Sequence, residues 1–292
     1  EPSRAGLLMP SETMTTQFSL AVHPSPGDEV YCEATCHIRN FEGGAPGYLS
    51  GVMLNAIQGD DGAFTAENVK PLIRPLTHHF PPSRLIWVEN TANWAGGAIF
   101  PQQNVLDLRK LADEHKLGLH LDGARIWNAS AATGLSLMEL AALFDSVSVC
   151  FSKGLGCPVG SLLAGSREFV NEAHRIRKRL GGGMRQAGIL AAAVIYALDN
   201  NRERLKEDHM RAQIIADSVA SSPQFEIDVA SVQTNIIIFK TKQMTGAEVA
   251  EKFKSNGILC AAFGNTVRLV THLGIGDEDV LKTISIIEKY FT

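Results

Sequence analysis

The sequence has no apolar run near the ~20 residues that a membrane-crossing helix needs, which excludes a helical membrane span. Its five cysteines (Cys32, Cys36, Cys150, Cys157, Cys260) are odd in number and scattered, with no C-x-x-C pair. That excludes a disulfide framework and a zinc ribbon, and leaves Cys150 as a small buried hydrophobe at a strand end. Nine histidines include no H-E-x-x-H or other metal spacing, so no metal is expected. Neither charge dominates: 27 Lys and Arg against 31 Asp and Glu leave a net −4 and a pI of about 6.2. Such a balance gives no general attraction to nucleic acid or to an anionic membrane. Repeats and low-complexity tracts are absent, and Glu1-Pro2-Ser3-Arg4 does not open a signal peptide, so the cytoplasm is the expected compartment.

What is present is alternation. At 292 residues the chain suits one large α/β domain plus a smaller one. Strand patterns at 85–89, 118–122, 146–151 and 160–164 alternate with helical spacing at 105–115 and 137–144. This order predicts a mostly parallel sheet with helices on both faces over residues 1–200. Helices at 186–200, 205–221, 246–255 and 278–291, with strands at 235–239 and 267–270, predict a smaller α+β domain over 201–292. The start is abrupt: residues 7–9 read as the end of a strand running directly into a helix, as though an N-terminal segment were missing.

An open parallel sheet binds ligands beyond the carboxyl ends of its strands. Two strands here deliver polar groups to that edge, one ending in Asp122-Gly123-Ala124-Arg125 and the other in Ser152-Lys153-Gly154. Singly, these are a turn aspartate and a surface lysine. Together they are a carboxylate and an amine facing one crevice. A lysine amine forms a Schiff base with an aldehyde cofactor, and pyridoxal phosphate (PLP) needs an acidic partner for its ring nitrogen. The helix opened by Pro10-Ser11-Glu12-Thr13 would offer N–H groups to a phosphate, or be an ordinary capped helix. Gly181-Gly182-Gly183, after the basic run at 175–179, would let backbone approach a ligand or another subunit closely. Solvated helix surface is the ordinary reading of the basic run.

Taken as an ordered set, these motifs resemble the L-threonine aldolase family of fold-type-I PLP enzymes. The matching stretches are 37–44, 89–91, 120–129, 145–160, 177–186 and 268–272, with 151–156 and 181–186 the most specific. The resemblance implies a Schiff-base Lys153, Asp122 at the pyridine nitrogen, and His37 stacked on the ring. Ser11, Glu12, Thr13 and Ser152 then lie near the phosphate. Arg125 and Arg268 would hold the substrate carboxylate, and His79 would sit near the substrate hydroxyl. Lys178 and Arg185 would reach substrate and cofactor in a neighbouring subunit's site, in a dimer of dimers. The implied reaction is retro-aldol cleavage of threonine or allo-threonine to glycine and acetaldehyde, with His37 or His79 assisting deprotonation of the hydroxyl.

The sequence departs from the family's pattern in three places. Glu12 replaces a usual glycine beside the phosphate, where a carboxylate pointing inward would repel it. Ala92 stands where a histidine usually follows Glu-Asn-Thr. A Ser-Asp-Thr stretch expected upstream has no counterpart. Ala92 and Glu12 motivate an alternative, an alanine racemase on the same scaffold; the abrupt start motivates another, a truncated subunit that binds PLP poorly.

Overall fold

A computed structural model describes residues 4–292 as two sheets with their helices. The larger sheet contains β1 (Arg4–Met9), β2 (Glu29–Glu33), β3 (Met53–Ile57), β4 (Ser83–Glu89), β5 (Gly118–Gly123), β6 (Ser146–Cys150) and β7 (Ser161–Ser166). Their spatial order is β1-β7-β6-β5-β4-β2-β3. Strands β3, β2, β4, β5 and β6 are parallel, and β7 runs against both of its neighbours.

A parallel sheet must be covered on both faces, and alternation along β4 shows how this is done. Leu85 and Trp87 pack with Leu20 of α1 (Glu12–Val22) on one face. Ile86 and Val88 pack with Val105 and Leu108 of the helix Gln102–His115 on the other. Strands β2 and β3 escaped the sequence reading for a physical reason. All of β2 is buried, so no alternation marks it, and glutamates stand at both its ends. Glu29 is satisfied there by Tyr31 Oη (3.0 Å) and Asn55 Nδ2 (3.1 Å).

The smaller sheet is antiparallel, in the order β10-β11-β9-β8, from β8 (Phe225–Glu226), β9 (Ile236–Thr241), β10 (Ala261–Phe263) and β11 (Thr266–Val270). Its core joins Phe239, Phe253 and Phe291 to Ala212, Ile215 and Val219 of the helix Leu205–Ser221, whose first residue, Leu205, belongs to the larger core. Polar contacts stitch the two parts. Thr234 Oγ1 donates to the Gly97 carbonyl (2.8 Å), and Asn128 Nδ2 to Asn235 Oδ1 (3.2 Å). Asn235 Nδ2 in turn donates to the Thr271 carbonyl (2.8 Å). No helix among the described residues is long and apolar enough to cross a membrane.

Candidate active site

Because they are parallel, β1, β2, β4, β5 and β6 all deliver their carboxyl ends to one edge, and the polar groups there come from many points in the sequence. Asp122, near the end of β5, is fully buried, its Oδ1 accepting from the Ala124 N–H (3.2 Å). Burial pushes its carboxyl well above the usual range; Glu12 and Glu89 add to this, and the Lys153 charge opposes it. Lys153 is half-buried in the loop that joins β6 to β7, which is closed at its base by Phe151 N–H to Gly160 O (3.0 Å). No hydrogen bond or salt bridge engages its amine among the described residues.

Glu89, the last residue of β4, is a buried carboxylate that holds two loops at once. Its Oε2 accepts from the His37 N–H (2.7 Å) and its Oε1 from the Asn93 N–H (2.8 Å). His37 Nδ1 then faces Glu42 Oε1 at 3.0 Å. Glu42 is buried and fixed in turn by Thr16 Oγ1 (2.8 Å) and Gln17 Nε2 (2.5 Å) of α1.

Asn93 is the hinge of a second cluster. Its Oδ1 accepts from Arg125 Nη1 (2.9 Å) and from Arg268 Nη2 (2.8 Å). Arg125 follows β5, whereas Arg268 lies on β11 of the smaller sheet, so the pair spans the seam. Burial, then repulsion from Arg125, lowers the Arg268 pKa to about 10. Burial also lowers that of Arg125, which Glu89 opposes. Two guanidiniums share one neutral acceptor, an arrangement that calls for an anion; the planar fork of arginine suits a carboxylate.

At the start of α1, Ser11 caps the helix, accepting from the Met14 N–H (3.3 Å). The Glu12 and Thr13 N–H groups of the first turn lie outside the helical ladder. Thr13 and Ser152 are exposed. Glu12 turns inward: its carboxyl is buried and neither oxygen has a partner. Burial raises its pKa, and Lys153 is the strongest opposing influence.

Some expected residues are not gathered here. His79 sits in the exposed loop leading into the amino end of β4, at the opposite edge of the sheet, with its ring 3.8 Å from that of His78. The expectation that it lies by the substrate is therefore not met within one chain. Lys178 and Arg185 are exposed. Within the glycine triplet, Gly182 is pressed against Met14 of α1, where a Cβ would clash, while Gly181 and Gly183 face open space. Ala92 is buried directly against Gly62, so a histidine there would displace that loop. Sequence reasoning gave no role to Glu42, Glu89 or Asn93. For Glu89 a signal existed, a carboxylate closing an apolar strand; for Asn93 there was none.

The model of the β-eliminating lyase family matches residues 2–242. A probable low-specificity L-threonine aldolase 2 of Arabidopsis thaliana is 37% identical over 98% of this chain and 83% of its own length. A low specificity L-threonine aldolase of Escherichia coli is 38% identical over 94% of this chain and 81% of its own. The chain belongs to the β-eliminating lyase family, among the threonine aldolases. A solved threonine aldolase from Leishmania major superposes with a TM-score of 0.85 over 99% of this chain and 84% of that one, and at 19% identity it is the fold that is shared. An aspartate aminotransferase from Thermotoga maritima has the same fold, at a TM-score of 0.75 over 97% of this chain and 75% of that one.

Members of this family are PLP-dependent. The donor set here fits the cofactor in three respects. A buried carboxyl stands at a strand end, an unengaged amine faces the same crevice, and a helix start offers N–H groups to an anion. The inward carboxyl of Glu12 is opposed to a phosphate there.

Proposed function

We propose that this chain is a PLP-dependent lyase that cleaves the Cα–Cβ bond of L-threonine, L-allo-threonine and related β-hydroxy-α-amino acids, releasing glycine and an aldehyde. The observation that carries the reading is the Arg125–Asn93–Arg268 cluster at the strand edge that also bears Asp122 and Lys153. Bound PLP supplies a sink for the electron pair left at Cα when the bond breaks. Lys153 offers the amine that anchors the cofactor, and Asp122 the carboxylate for its ring nitrogen. Arg125 and Arg268 grip the substrate carboxylate from two sides and fix the rotation about Cα, which selects the bond that breaks.

With Nδ1 of His37 held toward Glu42, its Nε2 is left to take the proton of the substrate hydroxyl. His79, Lys178 and Arg185 act, in this reading, from a second copy of the chain in a homo-oligomer, the dimer of dimers that the resemblance implies. All five cysteines are unpaired, which supports a reducing, cytoplasmic setting.

The racemase alternative finds no support: the relatives are named for aldolase activity. Proton NMR of the protein with PLP and L-threonine is the test. Glycine and acetaldehyde are expected to appear together. No cleavage of either threonine or allo-threonine overturns the reading.

A further inference from the structure

The proposed reaction makes no use of Glu12. It is the first residue of α1, only 9% exposed, and both its carboxyl oxygens lack a partner. Beside it, on adjacent strands β6 and β7, the Ser148 and Ser161 hydroxyls are fully buried and also without a partner. Four orphaned polar atoms thus cluster under the helix start, at the point where an anion would settle on the free N–H groups. The charged groups that bear on Glu12 are of both signs: Lys153 and Arg125 are cationic, Glu42 and Asp122 acidic. A buried carboxyl resists ionisation, and here burial outweighs the opposing pull of Lys153 and of the nearby Ser161 and Ser148 hydroxyls.

We infer that Glu12 couples cofactor loading to a proton: a phosphate at the start of α1 and a negative charge on Glu12 exclude each other. This rests on reading the crevice as a PLP site. Above the pH at which free Glu12 ionises, phosphate binding draws one proton from solvent onto its carboxyl. The neutral acid then has the Ser148 and Ser161 oxygens as acceptors for that proton.

The test compares PLP with pyridoxal, which lacks the phosphate. Dissociation constants for both are measured by absorption titration of the full chain, Glu12→Gln and Glu12→Gly, from about pH 6 to 9. With PLP, the native protein is expected to weaken by up to about tenfold more per pH unit than Glu12→Gln, the slope of one linked proton. Glu12→Gly should follow the glutamine variant and bind PLP more tightly than the native protein at the alkaline end. With pyridoxal all three proteins should give parallel slopes. Parallel PLP slopes for all three overturn the inference. So does an equal loss of PLP and pyridoxal affinity in Glu12→Gly at every pH, the mark of a packing role. If none of the three binds either compound, the cofactor reading itself falls, and the inference with it.

Discussion

Asn93 decides how far apart the two arginines stand, and that spacing should be visible in kinetics. In Asn93→Ala the guanidiniums lose a shared acceptor worth about 1.5–3 kcal/mol as charge-assisted hydrogen bonds. KM for threonine should rise about tenfold or more with PLP content unchanged, since about 1.4 kcal/mol is a factor of ten. Asn93→Asp should raise KM further, because a fixed carboxylate between the arginines competes with that of the substrate. Glu42→Gln should leave folding intact but lower kcat by about tenfold to a hundredfold, by loosening the ring of His37, the base proposed above. A pH–rate profile displaced from that of the native enzyme would separate this from a structural effect. That Asp122 and Lys153 share an edge was legible because one lies near the end of β5 and the other just beyond β6, and the ends of parallel strands share an edge whatever their order. Asn93 was not, since Arg268 lies 175 positions away and no local pattern predicts the contact. His79 stands away from that edge in its own chain, and the sequence could not show this: a motif gives a residue's company in sequence but not the edge of the sheet it occupies.

At the scale of elements, the last turn of α1 is bound to the sheet through a buried imidazole pair. His23 Nε2 and His120 Nδ1 each lie 2.6 Å from Ser146 Oγ, and the His120 ring stacks on Trp87 at 4.2 Å. Burial lowers the His23 pKa from 6.5 to about 4, and holds that of His120 well below its usual value. Between those two values the unfolded chain binds more protons at His23 than the folded one, so falling pH favours unfolding. From pH 7 to 5 this one histidine should remove roughly 2 kcal/mol of stability, with the loss levelling off below its folded pKa. Urea melts at both pH values, with His23→Gln showing a smaller loss, would check it. Helices such as Leu205–Ser221 and Gly246–Ser255 were read to the residue. In the second, Thr245 Oγ1 accepts from the Glu248 N–H and the Thr245 N–H donates to the Glu248 carboxylate in return, a cap written in four consecutive residues. The parallel strand β2 carries no such local mark; its register is set by β3 and β4, both distant in sequence.

For the whole molecule, the seam between the sheets is part of the site, because Arg268 crosses it. Asn235 is buried there and uses both ends of its amide, toward Asn128 and Thr271. Asn235→Ala should lower stability by about 1–3 kcal/mol in a urea melt. It should also raise KM for threonine, since β11 is then less firmly set against the larger sheet. The two-part layout was legible from the change in helix length and strand spacing, whereas the stitching was not, because single asparagine and threonine side chains give no pattern.

The reversed strand β7 has a consequence for the order of folding. The loop bearing Lys153 is the turn of a β6–β7 hairpin, so its closing contacts span few residues, while β2 must find β4 across half a hundred. Contacts of short sequence separation close first. Lys153 is then presented on a finished turn before the crevice exists around it. In pulsed hydrogen exchange, amides of β6 and β7 should gain protection ahead of those of β2. A chain refolding from denaturant would then hold Lys153 in place while the β2 side of the crevice was still unbuilt.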